Sequence, residues 1–326
     1  MIFEGLPTTP TSEELLDQAF SRAARAGRAK RGVEAQESML QTASNVLSDN
    51  LSNVVTSWPD FETVDPFYLE LADAIVGVDD LRQHLSQVSW ASQKTRELGR
   101  EYMGRLPHDD VELAITLRKQ AFARMGSVMN QIEDDLAAIS EARDALKTLP
   151  EIDSDEPAIV VAGYPNVGKT AFVNAVTNAR NETAAYPFTT KGVHVGHFER
   201  DRIRYQLVDT PGLLDRPAAE RNEIESQAVS ALTHLADAVL YVYDASETCG
   251  YPLEDQRALH DEVEERFDVP VVPVCNKADL STDVDTPLTM AVPEHTDGDD
   301  LGDGVAAVLD ELVQTIDYEI DLPFEG

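Results

Sequence analysis

The chain has 326 residues, enough for two domains that each bury a core of their own. Its 60 acidic residues stand against 26 basic ones, a formal net charge of -34. A hydrophobic content of 42% with persistent periodicity excludes a disordered polyanion, and no apolar run approaches the roughly 20 residues that a membrane-spanning helix needs.

Only seven of the basic residues are lysines; the rest are arginines. Such acidity fits a protein built for a cytoplasm at molar salt, where charges are screened beyond about 3 Å and self-repulsion costs little. The two cysteines, Cys249 and Cys275, form no C-x-x-C and suggest reduced thiols rather than a disulfide framework. The N-terminus lacks a signal-peptide pattern, so a cytoplasmic, membrane-free protein is expected.

Residues 1–150 read as an α-helical bundle. Thr11-Ser-Glu-Glu14 is a capping box, and Leu15, Leu16, Ala19, Phe20, Ala23 and Ala24 mark one helical face up to a break at Gly32. A second helix is expected from about Val33 to Ser57, striped by Leu40, Ala43, Leu47, Leu51, Val54 and Val55. Trp58-Pro59-Asp60 breaks it, and Asp65-Pro66 opens a third that runs towards Gly104 on Leu71, Ile75, Val78, Leu81, Leu85 and Val88. After Pro107 comes a last helix. Phe122, Met125, Met129, Ile132, Leu136 and Ile139 alternate steps of three and four along it. Val111 and Ile115 extend that seam backwards, with Arg118 interrupting it.

One stretch runs against the overall charge. Arg22, Arg25, Arg28, Lys30 and Arg31 lie within ten residues. They suit either a solvated helix end with charges that favour its dipole or a surface for RNA phosphate, where bidentate arginine forks outlast diffuse attraction in salt.

Residues 151–157 are acidic and proline-bounded, and read as a linker. From Ala158 to the end, residues 158–326 alternate strand with helix, the pattern of a mostly parallel, doubly wound α/β sheet. Strands are expected at 158–162, 193–198, 203–208, 238–244 and 269–275, and an amphipathic helix at 301–316.

Four motifs follow these strands. The first, Gly163-Tyr164-Pro165-Asn166-Val167-Gly168-Lys169-Thr170, lies between strand and helix, the context in which G-x-x-x-x-G-K-[ST] is a phosphate-binding loop. Gly163 and Gly168 let backbone N–H groups wrap one phosphate. Lys169 supplies a charge to the β- and γ-phosphates and Thr170 a hydroxyl to Mg²⁺, while the helix opening at Ala171 adds its positive end. Thr189 and Thr190, in Tyr186-Pro-Phe-Thr-Thr-Lys-Gly192, are two hydroxyls of which one, with a preference for Thr190, can complete the metal shell. Asp209, heading Asp209-Thr-Pro-Gly212, is placed to hold Mg²⁺ directly or through water, and the Gly212 N–H to meet the γ-phosphate. Asn276-Lys277-Ala278-Asp279 fits guanine, because a fixed Asp279 carboxylate can accept both the ring N1–H and the exocyclic amine. Together, in this order, the motifs predict a GTPase domain whose ligands are GTP and GDP.

The order GYPNVGKT, YPFTTKG, DTPGLLDRP, Tyr243-Asp-Ala-Ser-Glu-Thr-Cys-Gly-Tyr251 and NKAD resembles the nucleolar GTP-binding protein family, the Nog branch of the Obg-related GTPases. That family also sets a helical bundle before its G domain, and the short C-terminus is similar to archaeal members. The resemblance implies a GTP-hydrolysing assembly factor for the large ribosomal subunit, a monomer off the ribosome, which meets precursor particles through rRNA and ribosomal proteins and does not bind DNA. A GTPase adaptor in translation regulation or membrane targeting, its bundle docking a protein partner, is the alternative.

The chain departs from the pattern in places. No Ser-Ala dipeptide stands where a fifth guanine-contacting motif belongs; Met290-Ala291-Val292 is the nearest, implying a backbone contact from Ala291 to the guanine oxygen. Leu213 follows DTPG where signalling GTPases carry a water-orienting glutamine, which implies slow turnover. Asn166 is similar to an asparagine that holds K⁺ between phosphate oxygens in related GTPases, or else only shapes its loop. Arg216 is either a cis arginine finger or a surface residue. The run from His295 to Asp303 reads as a metal site or, more simply, as a solvated acidic loop.

Overall fold

A computed structural model describes residues 2–147, 149, 152–153, 156–177, 182–184, 193–293 and 301–316. Contacts divide the chain into two compact units, Ile2–Val64 with Val76–Lys147, and Asp65–Ile75 with Thr148–Gly326.

The first unit is all helix. Helix α1 (Ser12–Arg28) starts on the expected capping box: the Thr11 hydroxyl accepts from Glu14 N at 3.2 Å, and the Glu14 carboxylate accepts from Thr11 N at 2.9 Å. Gly32, at φ +61°, lets the chain turn into α2 (Gly32–Thr56). Helix α2 packs on both α1 and α4 (Val78–Gly104). Its Leu40, Leu47 and Leu51 are fully buried, each contributing about 1.5–3 kcal/mol relative to exposure.

The α2–α4 seam carries small polar residues, two of whose hydroxyls bond backbone carbonyls of the facing helix. The Ser44 hydroxyl donates to Thr95 O at 3.1 Å and the Ser92 hydroxyl to Ser48 O at 2.8 Å. Gly99 lies so close to Ser44 that a Cβ would collide with its hydroxyl. The Ser44 and Ser92 hydroxyls are paired across the seam, whereas Thr95 Oγ1 is buried there without a partner among the described residues.

Three helical expectations change. Instead of one helix from Asp65 towards Gly104 there are two, α3 (Pro66–Val76) and α4, separated by Gly77 at φ +65°. The apolar stripe runs unbroken through that glycine, which hides the break. Helix α3 moreover belongs to the second unit, although it falls within residues 1–150. It buries Phe67, Tyr68 and Leu71, and the Tyr68 hydroxyl donates to Ile152 O at 2.6 Å and accepts from Ile152 N at 3.1 Å. The last helix also divides, into α5 (Val111–Gln131) and α6 (Glu133–Leu146) at Ile132, whose φ of -106° and ψ of 13° leave the helical basin.

The heptad residues Met125, Met129, Ile132, Leu136 and Ile139 are nevertheless all buried. Their backward extension is not: Val111 is exposed, and the first turns of α5 bury Ala114, Leu117 and Ala121 instead. Arg118 explains the shift, because its guanidinium lies 5.1 Å over the Phe122 ring, which stacks on Phe20 of α1 at 4.5 Å. Arg22, Arg25, Arg28, Lys30 and Arg31 are all exposed on and after the last turns of α1, with Lys30 paired to Glu34 at 3.0 Å.

The second unit is a seven-stranded sheet in the order β2-β3-β4-β1-β5-β6-β7. Its strands are β1 (Ala158–Ala162), β2 (Glu182–Ala184), β3 (Val193–Arg200), β4 (Ile203–Asp209), β5 (Ala238–Asp244), β6 (Val271–Asn276) and β7 (Leu288–Thr289). From β4 to β7 every pairing is parallel, whereas β2, β3 and β4 pair antiparallel. The fold is therefore a P-loop α/β domain with a mixed sheet, joined to helices that precede it. The short strands β2 and β7 were not foreseen.

Strands β1 and β5 are buried at every position, as parallel strands covered on both faces require. Helices α7 (Lys169–Val176), α8 (Glu223–Leu235), α9 (Leu253–Arg266) and α10 (Val305–Ile316) complete the unit. The phosphate loop, DTPG and NKAD each leave the carboxyl end of a strand in the parallel part of the sheet, the edge where open α/β sheets bind ligands. Among the described residues no helix is long and apolar enough to cross a membrane.

Candidate functional site

The loop after β1 has the backbone that its glycines permit. Gly163 lies at φ +133° and Gly168 at φ +106°. A Cβ on Gly163 would stand 2.5 Å from Val242 O, and one on Gly168 would run into the Asn276 amide. Asn166 adopts φ +63° and is exposed at the rim, while Val167 is fully buried beneath it. Tyr164 is buried against Tyr251, ring centroids 4.3 Å apart.

Lys169 is 6% exposed, and its ammonium donates to Gly163 O at 2.6 Å and Tyr164 O at 3.0 Å. The loop thus encircles its own cation. That charge sits at the N-terminus of α7, whose dipole is positive there, an arrangement suited to an anion with several oxygens.

Asp209 closes β4 with no exposed surface. Its Oδ2 accepts the Thr170 hydroxyl at 2.5 Å, and its Oδ1 has no partner among the described residues. Burial pushes this carboxyl up, and the Thr170 hydrogen bond and the Lys169 charge pull it back. A buried carboxylate oxygen without a donor, beside a threonine hydroxyl, is a donor set of the oxygen kind that Mg²⁺ takes. The residues present fit the ion.

The segment after Asp209 differs from expectation in detail. Gly212, at φ +91°, donates its N–H to Asp215 Oδ2 at 2.8 Å, so that an aspartate occupies the donor assigned to the γ-phosphate. Leu213 is 1% exposed and packs into the core, and Leu214 O ties the segment to Gly163 N at 3.0 Å. Arg216 is not a free surface arginine: it donates to Gly212 O at 3.0 Å and to Glu225 at 2.6 Å. Further along, Glu262 of α9 accepts from Ala218 N and pairs with Arg221 at 3.0 Å.

At the other end Asn276 bridges two motifs. Its amide donates to Val167 O at 2.8 Å, and its Oδ1 accepts from Val292 N at 3.2 Å. Lys277, at φ +54°, reaches Asp244 at 2.7 Å and Thr248 at 2.9 Å. Asp279 is exposed. Ala291 departs from its expected part, since its N–H donates to Asp303 O at 2.9 Å and is not free for a guanine oxygen.

Gly163, Lys169, Thr170, Asp209 and Asn276 are thus brought together, with Pro165 and Ala171 flanking them. Thr189, Thr190 and His295 lie outside the described residues. Sequence reasoning assigned no role to Asp244, Gln256, Asp215 or Glu262. Asp244 alone carried a signal, being the last residue of a buried strand at the same sheet edge.

Two family models match the chain, the NOG1 N-terminal helical domain over residues 3–153 and nucleolar GTP-binding protein 1 (NOG1) over residues 223–279. An uncharacterised protein of Methanocaldococcus jannaschii is 38% identical over 288 residues, 85% of this chain and 81% of that one. Nucleolar GTP-binding protein 1 of Drosophila melanogaster is 37% identical over 241 residues, 73% of this chain but 37% of its own length. A crystal structure of a nucleolar GTP-binding protein 1 from Plasmodium falciparum is 28% identical, covers 52% of this chain and 90% of that one, and superposes with a TM-score of 0.46. The chain therefore spans most of the archaeal relative and little more than a third of the insect protein. With helical and GTP-binding models both matched in sequence order, the chain belongs to the nucleolar GTP-binding protein 1 family.

Proposed function

We propose that this chain is a cytoplasmic GTPase switch that serves as an assembly factor for the large ribosomal subunit. The observation that carries the nucleotide part is the convergence of a buried Lys169, the Thr170–Asp209 pair and the Asn276–Val167 bridge at one sheet edge. In this reading Lys169 and the loop N–H groups hold the phosphates. Thr170 and Asp209 hold Mg²⁺, completed by Thr189 or Thr190, and Asp279 reads guanine. Mg²⁺ so bound supplies charge neutralisation on the phosphate oxygens.

The chain's own residues do the remaining work. Asn276 locks the base end to the phosphate end, so that a nucleotide of fixed length is measured between them. The Gly212 N–H becomes a γ-phosphate donor once Asp215 lets go. Leu213 is buried and cannot orient an attacking water, which accords with slow turnover. Asn166, exposed and left-handed, is the residue that would hold K⁺.

The ribosomal part is supported by the family and by the exposed cluster from Arg22 to Arg31, five basic side chains on a chain of net charge -34. Co-sedimentation with large-subunit precursor particles at molar KCl, with a non-hydrolysable GTP analogue or with GDP, tests the proposal. Binding that depends on the analogue, and that is lost when the five charges are reversed, is expected. Equal binding in both nucleotides, or recovery in the membrane fraction, overturns it.

A further inference from the structure

Asp244 ends β5 with no exposed surface, and neither phosphate nor metal chemistry requires it. Its oxygens nevertheless collect five donors. The Ser246 N–H (3.0 Å) and the Ser246 hydroxyl reach Oδ1. The Thr248 hydroxyl (3.0 Å), the Cys249 N–H (2.8 Å) and the Lys277 ammonium (2.7 Å) reach Oδ2.

The backbone of Asp244 is clamped as firmly. Gln256 of α9, fully buried, accepts from Asp244 N at 2.9 Å and donates to Asp244 O at 3.1 Å and Tyr251 O at 3.0 Å. Four of the five donors to the carboxylate come from its own loop, residues 246–249, and the fifth from the NKAD motif. Although burial pushes the carboxyl up, the Lys277, Ser246, Thr248 and Cys249 hydrogen bonds hold it down at about 2. The loop therefore presents a permanent, rigid anion to a single ammonium.

A buried ion pair adds little stability over an apolar pair of the same volume, so stability alone is a weak reason for this arrangement. What the pair does fix is the turn. Lys277 takes φ +54°, a conformation that an L residue rarely holds without support. On either side of it Asn276 is tied to Val167 O, and Ala278 N donates to Met290 O at 3.1 Å. Of the four NKAD residues Asp279 alone is exposed.

We infer that Asp244 is a positioning residue for guanine selectivity: by anchoring Lys277, with Thr248 sharing the ammonium, it fixes the turn that aims Asp279 at the base. The inference rests on the guanine-nucleotide reading above and deepens it. No role for Asp244 follows from the phosphate side, because Lys169 and Asp209 make none of these contacts.

The test uses the full chain and compares affinities for GDP and inosine diphosphate, which lacks the exocyclic amine that Asp279 accepts. The wild type should prefer GDP by about tenfold or more, the worth of a hydrogen bond to a charged group. In Asp244→Asn that ratio should fall towards one. Lys277→Met, which keeps the stem and removes the ammonium, should lower the ratio equally, and the double variant should be no worse than either single one. A wild-type ratio retained in Asp244→Asn despite a lower melting temperature overturns the inference and makes Asp244 merely structural, as do additive effects in the double variant. Should Asp244→Asn not fold, an unchanged ratio in Lys277→Met overturns it equally. A wild type that binds GDP no better than ADP sinks the guanine reading itself, a failure distinct from that of the variants.

Discussion

The two ends of the nucleotide site differ in how complete they are without a ligand. At the base end Asn276, Lys277 and Asp244 satisfy one another, through a bridge to Val167 and five donors on one carboxylate. At the phosphate end Asp209 is fully buried and bonded to the exposed Thr170 with its Oδ1 left over, and Thr210 Oγ1 is likewise buried, both without a partner among the described residues. A buried polar group without a partner costs about 1–3 kcal/mol, so this end is poised to gain from whatever completes it. Among the described residues, Asn276, Lys277 and Asp244 leave no buried side-chain oxygen or nitrogen unpaired. The base end serves as a preformed gauge, and the phosphate end as the part that responds.

The largest effect that would break this contrast is expected at Asp209. Asp209→Asn keeps the shape but removes the charge that a divalent ion needs. Phosphate release from GTP should fall by about 100-fold or more, the scale of losing one charge-stabilising group. GDP affinity measured without Mg²⁺ should change little. Wild-type hydrolysis in this variant would mean that the orphaned oxygen is not where the metal acts, and the two ends would no longer differ in kind.

Much of this contrast was legible in the sequence, for reasons that can be located. The phosphate loop, DTPG and NKAD each follow a strand whose apolar run is visible, and a parallel sheet brings the ends of such strands to one edge, so motif order alone assembles Lys169, Asp209 and Asn276. The heptad seam was likewise legible, and Met125 through Ile139 are buried. The breaks at Gly77 and Ile132 were hidden because the apolar period passes through both without a phase change. Strand β7 has two residues and leaves no period to see. Asp244, Asp215 and Glu262 were illegible for another reason: each matters through a partner fixed by the tertiary fold rather than by local spacing.

The preformed character of the base end can be sharpened by acid. The carboxyl of Asp244 is held at about 2, below its unfolded value of about 3.9. A depressed carboxylate contributes stability that is fully present above the unfolded pKa and is lost as pH falls through the folded one. The charged carboxylate, held by all its donors, should therefore contribute about 2–3 kcal/mol at pH 7 relative to its neutral form, with about half of it gone at pH 3. Urea melts of the wild type and Asp244→Asn at both pH values, in molar salt, measure the difference. A gap that stays constant from pH 7 to pH 3 would mean that Asp244 acts by shape alone.

The smallest effect expected is at Asp215, and it bears most directly on how the phosphate end responds. Its carboxylate accepts the Gly212 N–H at 2.8 Å, the donor that a γ-phosphate oxygen would otherwise take. The neighbouring residues are anchored independently of it, Arg216 on Glu225 and Ala218 and Arg221 on Glu262. Removing the carboxylate should therefore free one N–H without releasing the whole segment. Asp215→Ala should raise the preference for a GTP analogue over GDP by about threefold to tenfold, the range spanned by one net hydrogen bond. GDP affinity itself should hold, because GDP has no γ-phosphate to compete for that donor. Paired titrations of the two nucleotides measure the ratio. If it does not move, Asp215 is not an internal competitor of the γ-phosphate, and the phosphate end is held ready by its unpartnered oxygens alone.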